Sequence, residues 1–218
     1  MNPTLSTCDR ILDTAERLFA EQGFHSTSMR GITQAADVNL AAINYHFGSK
    51  QALIIAVFRR RLDSLNRARL SCLDQALDQP KDARLEDVLD AFVRPAIDMT
   101  HDKAGEGHRF MRILLRAFAD QDEQLHQDLS AEYAHVMRRF AAAIEQALPG
   151  SSRETIRRYL DFIVGALTHT MSESDLRDGP GIASDLVSFA AAGLRGTQPL
   201  NSIPTSTAGA HRTMEIAR

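Results

Sequence analysis

This chain has no tryptophan, only two cysteines and almost no stretch in which apolar and polar residues alternate. Cys8 and Cys72 stand far apart without CxxC or Cys/His spacing, so the sequence suggests neither a disulfide framework nor a zinc site, and a reducing cytoplasm is expected. The longest apolar run, "ALIIAVF", falls far short of the roughly 20 residues that cross a bilayer. The opening "MNPTLSTCDR" has no apolar signal core, so neither export nor a membrane partner is expected. The missing alternation argues against strands. Nor is there a large charge excess: the formal net charge is -3 over 218 residues, which as a total does not point to nucleic acid.

What is present is helical periodicity and an uneven distribution of charge. Residues 1–69 hold 9 Lys or Arg against 6 Asp or Glu, leaving 16 against 22 for the rest, so a mildly basic front precedes an acidic rear. Apolar residues recur three and four apart nearly throughout, which predicts an all-α protein. A first helix runs from Ser6 or Thr7 to Gln22, stopped by Gly23, and Thr27 or Ser28 caps a second over Met29 to Ala36. Asp37 suits a left-handed turn, Asn39 caps a third helix from Leu40 to His46, and Ser49 caps a fourth that continues to an interruption at Gln79-Pro80. Five more follow, at Leu85 to Thr100, Gly107 to Asp120, Asp122 to Ala147, Ser152 to Ser172 and Pro180 to Leu194. The remainder, residues 196–218, is rich in Ser, Thr, Pro and Gly and reads as a flexible tail.

The chemistry concentrates in "VNLAAINYHFGSKQAL", residues 38–53. Two short helices joined by a tight turn can place the second in a major groove, provided its exposed face is short and polar. Asn39, Asn44, Tyr45 and His46 meet that demand, while Val38, Ala42, Ile43 and Phe47 can pack inward on Ile32, Leu18 and Phe19. The next helix start, with Ser49 as cap and Lys50 at its first position, suits a phosphate, because free amide N–H groups and a full positive charge coincide there. Thr27, Ser28 and Arg30 can grip flanking phosphates or a base edge. Arg59, Arg60 and Arg61 lie more than two turns beyond Lys50 and read as a solvated face. The bland alternative is an amphipathic helix pair that never meets DNA.

The run "ILDTAERLFAEQGFHSTSMRGITQAADVNLAAINYHFGSKQAL" resembles the TetR family of transcriptional regulators across about residues 9–58: a first helix ending in "LFAEQGF", Thr-Ser before the second, the turn, the aromatic "YHF" and then "SKQAL". Asp37 stands where the family commonly has Gly, Asn39 where Ser or Thr is frequent, and Gly31 where an acidic residue is usual. The resemblance implies a three-helix helix-turn-helix domain over residues 1–52, a helical effector-binding and dimerisation domain over residues 53–195, about nine helices in all, and no catalysis or cofactor. It implies base-edge contacts from Leu40, Ala41 and Asn44, phosphate contacts from Thr27, Tyr45, His46 and Lys50, and a palindromic double-stranded operator bound by a homodimer. "AFVRPAIDMT", "RFMRILLRAFAD" and "LDFIVGALTHTM" are similar to the PsrA-like, fatty-acid-responsive subgroup, which implies a long-chain fatty acid or acyl-CoA effector.

For such a pocket the candidate lining is Phe92, Met99, Phe110, Leu114, Phe118, Phe140, Phe162 and Met171, each equally readable as ordinary core. Arg109 and Arg112, on one stripe with Arg116, could meet a carboxylate or phosphate at its mouth. Ile156, Leu160, Ile163 and Leu167 on one helix, with Ile182, Leu186, Phe189 and Gly193 on the next, could form a two-fold four-helix interface or pack on their own chain. Other classes remain open from the residues alone: a helical ligand-binding or adaptor protein without DNA recognition, or a metal-dependent bundle enzyme. For the latter, "EQLH" at Glu123 to His126 and "EYAH" at Glu132 to His135 show Glu-x-x-His spacing, but nine residues apart on one helix they point to opposite sides.

Overall fold

The Ser6 hydroxyl accepts from the Asp9 amide at 3.1 Å and starts α1 (Thr7–Gln22); Gly23, at φ 85°, ends it, its amide donating to the Phe19 carbonyl at 3.0 Å. Only glycine tolerates that backbone readily. The computed structural model describes residues 6–78, 84–100, 106–120, 122–172 and 179–197. Across these, every ordered element is a helix: α2 (Met29–Ala36), α3 (Leu40–Phe47), α4 (Lys50–Leu77), α5 (Leu85–Thr100), α6 (Glu106–Ala119), α7 (Glu123–Ala147), α8 (Arg153–Ser172) and α9 (Gly179–Arg195). The predicted interruption at Gln79-Pro80 and the tail from residue 198 onward lie outside the described residues.

α1 packs on α2, α3 and α4 at the front, and α5 to α9 form the rear bundle. α4, about 42 Å long at the helical rise of ~1.5 Å per residue, runs through both. Rings carry the core across the junction: Phe24 lies 5.4 Å from Phe19 and 6.3 Å from Phe58, and Phe58 lies 5.8 Å from Phe110 of α6. Deeper in the rear, Phe92 of α5 meets Phe140 of α7 edge to face at 4.9 Å.

Arg59, Arg60 and Arg61 of α4 are braces; Arg59 stays solvent-exposed, but the expectation of a solvated face is corrected for Arg60 and Arg61. Glu16 of α1 is fully buried, and its carboxylate accepts from Arg60 at 2.5 Å and from Arg61 at 2.9 and 3.0 Å. A carboxylate can enter the core there because two guanidinium groups follow it in. Arg60 also reaches Asp13, and Arg59 turns the other way to hold Glu132 of α7 in a two-bond clamp at 2.8 and 2.9 Å. One turn of α4 thus ties the front helices to the rear bundle.

Candidate nucleic-acid interface and effector cavity

The turn before α3 is built by Asp37, which adopts φ 51° and ψ 53° as its type permits, with its amide donating back to the Thr33 and Gln34 carbonyls. Asn39 then caps α3, its side-chain oxygen accepting from the Ala42 amide at 2.7 Å. Ile43 is the fully buried residue of α3, with Val38 and Phe47 packed against the same core. This anchoring turns Asn39, Leu40, Ala41, Asn44, Tyr45 and His46 outward together.

That outward face carries no acidic side chain. Tyr45 is 87% exposed, with the His46 ring edge-on at 5.3 Å, and no described residue hydrogen-bonds the side-chain amide of Asn44. Ser49 caps α4 by accepting from the Ala52 amide at 3.1 Å, and Lys50 stands at its first position. Ser28 caps α2 by accepting from the Gly31 amide at 3.0 Å, with Arg30 exposed beside it. Thr27 departs from expectation. It is only 2% exposed, and its hydroxyl donates to the Gly23 carbonyl at 2.8 Å and towards Leu18 at 3.3 Å, so its side chain secures the α1–α2 turn and does not reach a phosphate.

In the rear bundle, a cavity of about 200 Å³ opens between α4, α5, α6, α7 and α8. Of the candidate lining, Phe92, Leu114, Phe118 and Met171 border it. Phe110 and Phe140 are fully buried ring-packing residues away from its wall, and Met99 is half-buried elsewhere in the core. Phe162 is corrected outright: at 59% exposure it faces outward from α8. Arg109 and Arg112 belong to a separate polar cleft with Arg17 and Glu21 between α1 and α6. There Arg112 donates to the Ala20 carbonyl at 3.3 Å, and beyond the cleft Arg116 donates to the Glu21 carbonyl at 3.5 Å, cations set on the negative end of α1.

The cavity contains polar residues that periodicity did not single out: Asn66 and Arg69 of α4, Tyr133 of α7 and Thr168 of α8. Arg69 sits in "NRARL", which in sequence looks like any exposed basic stretch. The one available signal is its spacing on the stripe Leu62, Leu65, Asn66, Arg69 and Leu73, all buried.

The α8 half of the expected dimer surface is also corrected. Ile156, Leu160, Ile163 and Leu167 are buried in their own chain's core, facing the rest of the bundle. On α9, Ile182 and Leu186 are half-buried against the same core, Gly193 lies under the Tyr159 ring, and Phe189 is 70% exposed. Of the Glu-x-x-His pairs, Glu132 is occupied by Arg59 and His126 bonds the Ala117 carbonyl at 2.7 Å. No helix among the described residues is long and apolar enough to cross a membrane.

A model of bacterial regulatory proteins of the tetR family matches residues 11–57, and one of the tetracyclin repressor-like C-terminal domain matches residues 90–193. The HTH-type transcriptional regulator UidR of Escherichia coli (strain K12) is 25% identical over 179 residues, covering 79% of this chain and 85% of UidR. Two solved structures share the fold: Salmonella enterica GusR, with a TM-score of 0.61 at 21% identity over 90% of this chain and 96% of that one, and the fatty acid degradation regulator FadR from Bacillus halodurans, with 0.63 at 16% over 90% and 98%. The matched N-terminal stretch contains the exposed α3, and the matched C-terminal stretch contains most of the cavity wall; the chain belongs to the TetR family of DNA-binding transcriptional regulators.

Proposed function

We propose that the protein is a homodimeric repressor that holds a palindromic operator and releases it when a small apolar effector enters the rear cavity. The observation that carries this reading is the outward face of α3. Leu40, Ala41 and Asn44 are exposed together on one short helix, an element that a major groove admits, with Ser28, Arg30, Tyr45, His46 and Lys50 as the residues for the phosphates. Two copies related by a two-fold axis would set two such helices about 34 Å apart, one turn of B-DNA.

The outward-facing Phe162 of α8 and Phe189 of α9 support pairing of copies through the α8–α9 face, because large apolar rings so exposed are costly on a lone subunit. The mainly apolar cavity supports an effector with a hydrocarbon body, and a long-chain fatty acid or its acyl-CoA thioester is the class we favour. Effector and operator then oppose each other by the same factor in both directions.

A mobility-shift titration on the DNA upstream of the protein's own gene, repeated with oleate and oleoyl-CoA, tests the reading. A shift lost on adding at least one of the two lipids is expected. Equal binding to a scrambled duplex would remove the operator, and a shift indifferent to both lipids would remove the effector class.

A further inference from the structure

Among the described residues, a charge in the rear cavity has no counter-ion. Arg69 is 8% exposed, and no carboxylate among the described residues pairs with it. Its Nε donates to the Phe92 carbonyl at 2.8 Å, and its guanidinium lies 3.9 Å over the Phe92 ring, so the group is fixed in place. Its two terminal nitrogens have no protein partner among the described residues. Burial pushes the guanidinium down to about 9, which still leaves it a cation at neutral pH. An uncompensated buried charge is costly, and a bound anion would relieve that cost.

Tyr133, another residue of the lining, carries a second orphan. The Tyr133 hydroxyl is buried with no hydrogen-bond partner among the described residues, and burial, with Asp63 and Glu132 nearby, pushes its pKa up, so it is a protonated donor at neutral pH. Asn66 and Thr168, both buried, add polar groups to a wall that is mainly apolar. The acidic residue of the lining, Asp161, is exposed and forms no ion pair with Arg69. Tyr133, Met137 and Asp161 also border a wider groove of about 820 Å³ between α7 and α8, so the small cavity continues outward past them.

We propose that the cavity binds an amphipathic organic acid head first, its free carboxylate on Arg69 with Tyr133 as a further donor, and its hydrocarbon chain leading past Met137 into the α7–α8 groove. A planar guanidinium offers the two parallel N–H groups that a carboxylate accepts. A CoA thioester has no charge at that end, and its carrier cannot follow into about 200 Å³. The assignment deepens the effector reading, and rests on it only where operator release is the readout.

The test uses the full chain and three matched sets of probes: octanoate, decanoate and oleate, the corresponding alcohols, and the corresponding CoA thioesters, with binding followed by calorimetry and by thermal shift. The acids bind at least about tenfold tighter than alcohols or thioesters of equal length, the scale of a hydrogen bond to a charged group. Arg69→Met and Arg69→Gln abolish that preference, and Arg69→Met melts no lower than wild type without ligand, since it removes an unpaired buried charge. Tyr133→Phe, which deletes only the orphan hydroxyl, weakens the acids and leaves the alcohols unchanged; with the wild-type acid-to-alcohol comparison it carries the test if the Arg69 variants do not fold. Equal affinity for acids and alcohols, tighter thioesters, an unaltered preference in Arg69→Gln, or no binding by any acid would overturn the proposal. An acid that binds through Arg69 yet leaves operator complexes intact would overturn the effector reading alone.

Discussion

Arg10 of α1 holds the turn ahead of α3: its Nη2 donates to the Ala36 carbonyl at 2.5 Å and to the Asp37 carbonyl at 2.6 Å, with the Asp37 carboxylate 3.8 Å away. One guanidinium from the first helix thereby satisfies carbonyls left over at the end of α2 and fixes the angle at which α3 leaves the turn. Arg10→Met is expected to reduce operator affinity by about tenfold or more while lowering unfolding free energy by only ~1 kcal/mol, because the side chain is partly exposed. Denaturant melts and operator titrations on the same preparation separate the two effects. A large stability loss with unchanged affinity would show that the contact serves the fold alone.

Glu16 is the second joint. Removing its carboxylate by Glu16→Ala strands Arg60 and Arg61 of α4 in a half-buried setting, and a cost of roughly 3–5 kcal/mol is expected for breaking such a network from one side. Urea unfolding checks this. Glu16→Gln, which keeps the shape and part of the hydrogen bonding, should lose less than Glu16→Ala. A loss under about 1 kcal/mol in Glu16→Ala would mean that the arginines find solvent instead.

Acid should loosen α4 from α7. The Arg59 guanidinium, by its hydrogen bonds first and its charge second, holds the Glu132 carboxyl below its ordinary 4.5. A carboxylate depressed in the folded state stabilises above its unfolded value and loses that contribution as pH falls through its folded value. The clamp is therefore whole at neutral pH and fades below about pH 4.5. Both side chains are partly exposed, so the contribution is only about 0.5 kcal/mol. Stability measured against pH should fall less steeply on the acid side in Glu132→Gln than in wild type, and an identical acid limb in the two proteins would refute the assignment.

The front of the molecule was almost fully legible in its residues, because short-range chemistry dictates it. Ser28, Asn39 and Ser49 each cap the helix that their type and spacing announce, Gly23 and Asp37 take the positive φ values they tolerate, and Ile43 fills the inward side of α3. What escaped is long-range partnership. Periodicity identifies the apolar stripe of α8 but not what it faces, so the residues alone leave Ile156 and Leu160 open to a second copy or to their own chain, and they bury within the bundle. Charge in a sequence reads as solvent exposure, which hid the pairing of Arg60 and Arg61 with Glu16, 44 and 45 residues away, and the burial of Arg69. Thr27 matched the family's contact position, yet its hydroxyl is spent on the Gly23 carbonyl.

Selection of bound duplexes from a random-sequence pool, run in parallel for wild type, Asn44→Ala and Lys50→Ala, tests most directly whether α3 reads DNA. Wild type should enrich a two-fold symmetric site with half-sites about 10 base pairs apart. Asn44→Ala should enrich the same site with discrimination relaxed at one base pair in each half. Lys50→Ala should keep the full preference while binding every duplex more weakly, with a salt slope smaller by about one. No enriched sequence from wild type, or the same site and affinity from Asn44→Ala, would contradict the placement of α3 in the groove.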